Sequence, residues 1–209
     1  MAKPSHLRYL AGFAAAKLTR EDGAIAPPRD MVLRLDDLPD GWRSRGAREF
    51  RTGMAGGGEE WAARVRAAKG RSLVASYQFG KDLWTWVISQ AIPLVSPDDA
   101  ATAFPSVFER MLANPEGGVI LRSRDVIVLP AAPGDEHRCE LLTTENIRYP
   151  DTVGESYSLA WRRRSVIAWM TMSGLPGTWR AEDVSALAAA QDRRIVAELD
   201  RFDGPQPSP

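Results

Sequence analysis

His137 and Cys139 lie two residues apart in a chain whose other histidine is His6 and which carries a single cysteine. Imidazole and thiolate could ligate a metal or form a nucleophilic pair. Zinc, however, asks for three or four ligands, and Cys–His catalysis needs a third group to orient the base. The supply falls short of both, so the pair reads as structural and no metal site is expected. Serine hydrolysis is unsupported as well. The chain lacks a Gly-x-Ser-x-Gly elbow, and a triad would have to recruit His6 or His137. In Gly53-Met54-Ala55-Gly56-Gly57-Gly58 the Lys-Ser/Thr of a phosphate-binding loop is missing, and Glu59-Glu60 would repel phosphate. That run reads as a flexible loop. The acid pairs Asp36-Asp37, Glu59-Glu60, Asp98-Asp99 and Glu182-Asp183 fall at turns or helix starts, where capping and the helix dipole account for them. No catalytic residue and no cofactor is assigned.

Two residue sets remain that could bind something. Arg162-Arg163-Arg164 falls in a hairpin turn and could hold an anion or an acidic partner; Arg45, Arg48 and Arg51 form a second cluster that could converge with it. Seven tryptophans are many for this length. Trp84 and Trp86 share one side of a strand, while Trp161 and Trp169 come from the second hairpin. Most are expected in the core, but where helices leave the sheet uncovered some would line an apolar pocket or partner surface. Trp84, Trp86, Trp161, Trp169, Arg162, Arg163 and Arg164 are therefore the candidate ligand or partner surface.

Composition narrows the classes. Lys+Arg and Asp+Glu both number 27, giving zero net charge, and the pI is near 6.8. No global field attracts nucleic acid or anionic lipid. Basic charge is carried mostly by arginine, with abundant Ala and Gly, which suggests a high-GC genome such as an actinobacterium. One cysteine cannot form an intramolecular disulfide. The apolar run Leu10–Ala16 is at the lower limit of a signal-peptide core, and no cleavage context follows it. A soluble cytoplasmic location is expected, with export as the alternative should that run act as a signal.

These side chains need a scaffold, and the chain writes one pattern twice. A strand through Trp84–Ser89 leads to a helix opened by Asp98-Asp99, and a strand through Val166–Ser173 leads to one opened by Glu182-Asp183. The expected fold is α+β: a twisted, mostly antiparallel sheet built from two pseudo-repeated β-hairpin-plus-helix halves, about 70–113 and 154–202, with helices packed on it. A short helix over 5–20 and a Pro-rich linker would occupy residues 1–30. A single domain would follow over 31–203, with a disordered tail over 204–209. Within the domain, Met31–Leu35 reads as a first strand and Trp42–Phe50 as a second, irregular one. Residues 59–69 read as a short helix or bulged strand. The hairpin of Ser72–Phe79 and Leu83–Leu94 comes next, followed by a helix over 98–113. Strands are expected over Val119–Leu129 and Glu140–Tyr149, then a hairpin of Ser156–Trp161 and Ser165–Ser173. The longest helix spans Ala181–Phe202, with Val184, Leu187, Ala188, Gln191, Ile195, Leu199 and Phe202 on its apolar side.

Leu38-Pro39-Asp40-Gly41-Trp42, Ile88-Ser89-Gln90-Ala91-Ile92-Pro93-Leu94 with its Asp-Asp-Ala-Ala-x-Ala-Phe helix, and the closing Ala-Ala-Ala-Gln-Asp-Arg-Arg-Ile helix are the carriers of a resemblance. Together they resemble actinobacterial sensor-like and lipoprotein-like domains with PsbP/Mog1-like or kinase-sensor-like folds, over about residues 31–202. The resemblance implies an antiparallel sheet packed by helices, which binds ligands or protein partners without catalysis. The chain departs from exported members in lacking a clear signal peptide, a lipidation cysteine and paired cysteines. A non-enzymatic domain that recognises a hydrophobic small ligand or a protein partner is the leading expectation. One alternative is an enzyme of unfamiliar type, with Glu140, Glu145, Glu155 and the hairpin arginines as first suspects. The other is a structural subunit of a larger assembly.

Overall fold

A computed structural model describes residues 26, 28–51, 73–94, 96–113, 119–147, 149 and 151–203. The expected 5–20 helix, the 53–58 glycine loop, the 59–69 element and the 204–209 tail lie outside the described residues. Seven strands form one antiparallel sheet: β1 (Arg43–Arg51), β2 (Leu73–Gly80), β3 (Trp86–Pro93), β4 (Val119–Val126), β5 (Glu136–Asn146), β6 (Val153–Arg163) and β7 (Val166–Gly174). Their order is β1-β2-β3-β7-β6-β5-β4, with α1 (Pro97–Ala113) following β3 and α2 (Ala181–Asp203) following β7. The two edge strands, β1 and β4, each carry a bulge, between Ser44 and Gly46 and between Leu121 and Ser123. Such irregularities hinder edge-to-edge pairing with another chain.

Strand alternation distributes the apolar residues over both faces of the sheet. Ala75, Phe79, Val87, Ala91, Leu159, Trp161, Ala168, Met170 and Met172 face one side and pack with Val184, Leu187, Ala188, Ile195 and Leu199 of α2. Val74, Ile92, Ala160 and Ile167 face the other and pack with Ala100, Ala103, Phe104, Val107 and Phe108 of α1. The helices thus take opposite faces, although the element order of the two halves matches. A rotation about an axis normal to the sheet would pair β3 with β7 but keep both helices on one side.

The α2 side is closed by a segment expected to be a strand. Residues 31–34 instead lie between two short 3₁₀ turns, Pro28–Asp30 and Leu35–Asp37. Met31, Val32 and Leu33 are all fully buried, which a half-buried alternating strand would not allow. The Leu33 N–H donates to Ser89 Oγ at 2.9 Å in place of a ladder bond. Ser89 in turn donates to Gln191 Oε1 at 2.8 Å, and Gln191 Nε2 donates to the Gln90 carbonyl at 2.8 Å. This buried network is satisfied, as buried polar groups must be. At the segment's end, Arg194 forks onto both oxygens of Asp37 at 2.9 Å each. Burial alone would raise the Asp37 carboxyl, but the Arg194 bonds and the Arg34 N–H outweigh it and hold it below the ordinary carboxylate range.

Helix starts follow the expected chemistry. Ser96 Oγ accepts the Asp99 N–H at 3.1 Å ahead of α1, and Asp183 accepts the Arg180 N–H at 3.0 Å ahead of α2. β3 begins later than its hydrophobic run suggests. Asp82 Oδ1 accepts the N–H groups of Trp84 and Thr85 at 2.8 Å each, so those residues belong to a turn and not to the ladder. β5 begins earlier than expected, at Glu136, and carries His137 and Cys139 into the sheet.

Candidate binding face on the α1 side of the sheet

Among the described residues the α2 side is shut by two elements, while α1 alone packs on the other side. Its apolar contacts lie at one end of the strands, on Val74, Ile92, Ala160 and Ile167. Successive rows of cross-strand neighbours describe the rest. Under the edge of α1 the row reads Arg48–Ser76–Gln90–Trp169–Ala160–Arg138. Next comes Gly46–Gln78–Ile88–Thr171–Ser158–Glu140. The last, Trp86–Ser173–Ser156–Leu142, lies farthest from Ile167. Across β2, β3, β7 and β6 these rows hold no charged side chain, although 26% of the chain is charged. Trp86, Ile88, Gln90, Trp169, Thr171 and Ser173 are half-buried. A solvent-facing antiparallel sheet ordinarily alternates apolar-in with charged or polar-out; this one presents tryptophans, hydroxyls and amides.

Several of these groups are ordered among themselves. Gln90 Nε2 donates to Ser76 Oγ, and Ser156 Oγ to Ser173 Oγ, both at 2.8 Å. Three buried side-chain atoms among the described residues lack a hydrogen-bond partner: Glu140 Oε2, Arg162 Nε and Trp169 Nε1. All three residues belong to this face. Two are compensated by charge, since Arg124 Nε lies 3.4 Å from Glu140 Oε2 and Glu136 Oε2 lies 3.5 Å from Arg162 Nε. The neutral indole N–H of Trp169 has no such compensation, and an unmet buried donor costs about 1–3 kcal/mol.

The β5 flank is charged. Glu140 has a side chain only 1% exposed; Arg138 reaches its Oε1 at 2.8 Å, extends to Glu109 of α1 at 3.0 Å, and stacks its guanidinium 4.4 Å from the Phe108 ring centre. At the end of the sheet away from α1, Trp84 from the β2–β3 turn meets Tyr149 from the β5–β6 loop, edge to face at 6.2 Å. Three inter-strand steps of about 4.8 Å separate β3 from β5, so this contact spans the ends of β7 and β6. Exposed apolar side chains cluster at the same end of the sheet: Leu83, Ile147, Val153 and Leu175 join Trp84 and Tyr149.

The candidate residues therefore separate. Trp86 and Trp169 lie on the α1-side face and Trp84 at its end, in the turn before the strand. Trp161 is fully buried on the α2 side, donating to Asp192 Oδ1 at 3.1 Å. The three arginines are engaged internally. Arg163 binds Asp192 and Asp135, Arg164 donates to Asp200 at 2.7 Å, and Arg162 pairs with Asp135 and Glu136. Asp135 also accepts the backbone N–H of Arg164, whose φ is 49°. The Arg45–Arg48–Arg51 strand lies four inter-strand steps away, about 19 Å, so the two clusters do not converge. Of the suspected acids, Glu145 is paired with Arg122 and Glu155 accepts the Gly177 N–H at 2.9 Å. Glu140 was visible in the sequence, but its burial was not. Gln90 and Thr171 were missed, since a polar residue inside a strand carries no local mark of what it faces.

His137 is exposed and Cys139 is buried. Burial, aided by the nearby Glu140 charge, pushes the Cys139 thiol up to about 12, which withholds the thiolate a nucleophile requires. Native protein is accordingly expected to leave Cys139 unmodified by a disulfide-exchange reagent at pH 8, and to react at one thiol per chain once denatured. Rapid native reaction would contradict this burial. Among the described residues no group of His, Cys, Asp and Glu is placed to hold a metal ion, and no described helix is long and apolar enough to cross a membrane.

No protein-family model and no curated protein matches this chain. Among solved structures, it is similar to the extracellular domain of PknH from Mycobacterium tuberculosis. The TM-score is 0.50 at 10% identity, over 82% of this chain and 93% of that one. That likeness shows a shared fold. A PsbP/Mog1-like relationship is not shown.

Proposed function

We propose that the protein is a non-enzymatic binding domain whose small amphipathic ligand lies on the α1-side face, its apolar part against Trp86, Ile88 and Trp169. The carrying observation is the half-buried, charge-free, tryptophan-bearing floor between α1 and the Trp84–Tyr149 contact. Concave, aromatic-lined surfaces with a few fixed polar groups are the ordinary form of ligand sites. A protein partner is the second occupant, supported by the exposed Trp84, Tyr149 and Leu83 at the end of the sheet. An enzymatic role would rest on Glu140, whose carboxylate is already held by Arg138 and Arg124; substrate would have to displace one of them. Arg163, Arg164 and Trp161 take part, in this view, by fixing the sheet to α2, and Arg162 by tying β6 to Asp135 and Glu136, and not by touching ligand.

As to location, the similar PknH domain is extracellular, which favours the exported alternative over the cytoplasmic one. Its fold accommodates this chain, and a ligand-binding face suits a domain that samples its surroundings.

Tryptophan fluorescence against a panel of metabolites and lipids tests the ligand. Saturable change is expected with wild type and should fall about ten-fold in affinity in Trp86→Ala, the loss of one well-packed aromatic contact. Silence across the panel together with a stable stoichiometric complex with a protein would replace the small ligand by a protein partner.

A further inference from the structure

We infer that the ligand is a neutral saccharide. This rests on the α1-side face being the binding site and adds the chemistry of the occupant. Charge is the first discriminator. Arginines stand at the margins of the floor, Arg48 on β1, Arg138 on β5 and Arg162 at the Ile167 end of β6, but the three rows across β2, β3, β7 and β6 hold none. An anionic ligand such as a fatty acid or phosphate would bring a charge onto a floor with no cation beneath it, and burying a charge unpaired is costly. The density of uncharged hydrogen-bonding groups is the second. A purely apolar ligand would cover the Thr171 hydroxyl and the hydrogen-bonding capacity that Gln90, Ser173 and Ser156 keep beyond their own mutual bonds, at a cost in desolvation.

A sugar meets both conditions at once. Its ring C–H face is apolar and can lie on the half-buried rings of Trp86 and Trp169, while its rim hydroxyls donate and accept. Ser156–Ser173 and Gln90–Ser76 are held at 2.8 Å, so their remaining hydrogen-bonding capacity is presented from a fixed array. Among the described residues the buried Trp169 N–H lacks an acceptor, and a turn of the half-buried ring would bring it to a ligand hydroxyl or ring oxygen.

The test uses the full chain and three neutral probes, cellohexaose, maltohexaose and chitohexaose, followed by tryptophan fluorescence and calorimetry. At least one is expected to bind saturably. Its affinity should change less than about two-fold between low and high salt, since no charge pair is screened. Trp86→Ala should weaken it about ten-fold, and Trp169→Phe, which removes the indole N–H together with the pyrrole part of the ring face, about five-fold or more. Should Trp86→Ala fail to fold, the near-isosteric Thr171→Val is expected to weaken binding by about five-fold without altering the circular dichroism. Binding that none of these variants weakens would overturn the assignment, because the sugar would sit elsewhere. If all three saccharides fail while palmitate or an apolar dye binds in a Trp86-dependent manner, the saccharide is overturned and the small-ligand face stands. If neither class responds to Trp86, both fall together.

Discussion

Replacing Asp192 with alanine is expected to cost about 3–5 kcal/mol of folding stability, the range for stripping one partner from a buried ion pair. Asp192 has a side chain 12% exposed, and its carboxylate serves two groups at once. Its Oδ1 accepts the indole N–H of Trp161 at 3.1 Å and the Nε of Arg163 at 3.1 Å, while Oδ2 takes a second guanidinium nitrogen of Arg163. Trp161 is fully buried, so without Asp192 its N–H would be left unmet in the core. Arg163 would retain Asp135 but lose its forked contact, and the β6–β7 turn would lose its main tie to α2. Asp192→Asn keeps an acceptor for Trp161 and removes the charge, so its cost should be about half. Urea unfolding followed by circular dichroism measures both. A loss below about 1 kcal/mol for the alanine variant would place Asp192 with ordinary surface pairs.

Gly134→Ala should destabilise by about 2–5 kcal/mol, from two separable causes. Its φ is +73°, where an L side chain costs about 1–2 kcal/mol. A Cβ there would also run into the Arg162 carbonyl oxygen and come within 2.8 Å of Trp161 Cδ1. Backbone and a fully buried ring cannot step aside, and forced overpacking costs about 1–3 kcal/mol more. Gly41 supplies the control: its φ is +89° but nothing lies within 4 Å of the added carbon. Gly41→Ala should therefore show the conformational part alone, about 1 kcal/mol. Equal losses for the two variants would mean that the Gly134 loop gives way and that its close approach to β6 carries no cost.

The two substitutions flank one construction. Gly134 lets the chain before β5 press onto β6, and Asp135 then holds the arginine-rich turn by binding Arg163 and the Arg164 N–H. In the sequence the same arginines resemble an anion patch. Charge runs reveal how many cations a turn holds, but not whether acids 28 to 36 residues distant fold back on them. Here Asp135, Asp192 and Asp200 do.

Local patterning was enough for the elements. Alternation in Leu73, Ala75, Tyr77 and Phe79, the stripe of Val184, Leu187, Ala188, Gln191, Ile195 and Leu199, and Ser96 and Asp183 at the helix starts are all effects of neighbours within a few residues. Such effects act alike in the isolated segment and in the folded chain. Hence the α+β class, the hairpins and both helices are written in the chain itself. Met31–Leu35 was misleading for the same reason: three apolar residues in a row suit a strand or a buried plug equally, and only the docking of Ser89 and α2 chose the plug.

Local strand and helix patterning determined the order of elements, while tertiary structure alone decided that α1 and α2 take opposite faces. That choice separates Trp161, sealed under α2, from Trp86 and Trp169, left half-covered beside α1. In a strand, facing is set by the parity of position and by which layer lands on each side. Parity is legible in the chain; the layer is fixed by contacts between residues far apart in it.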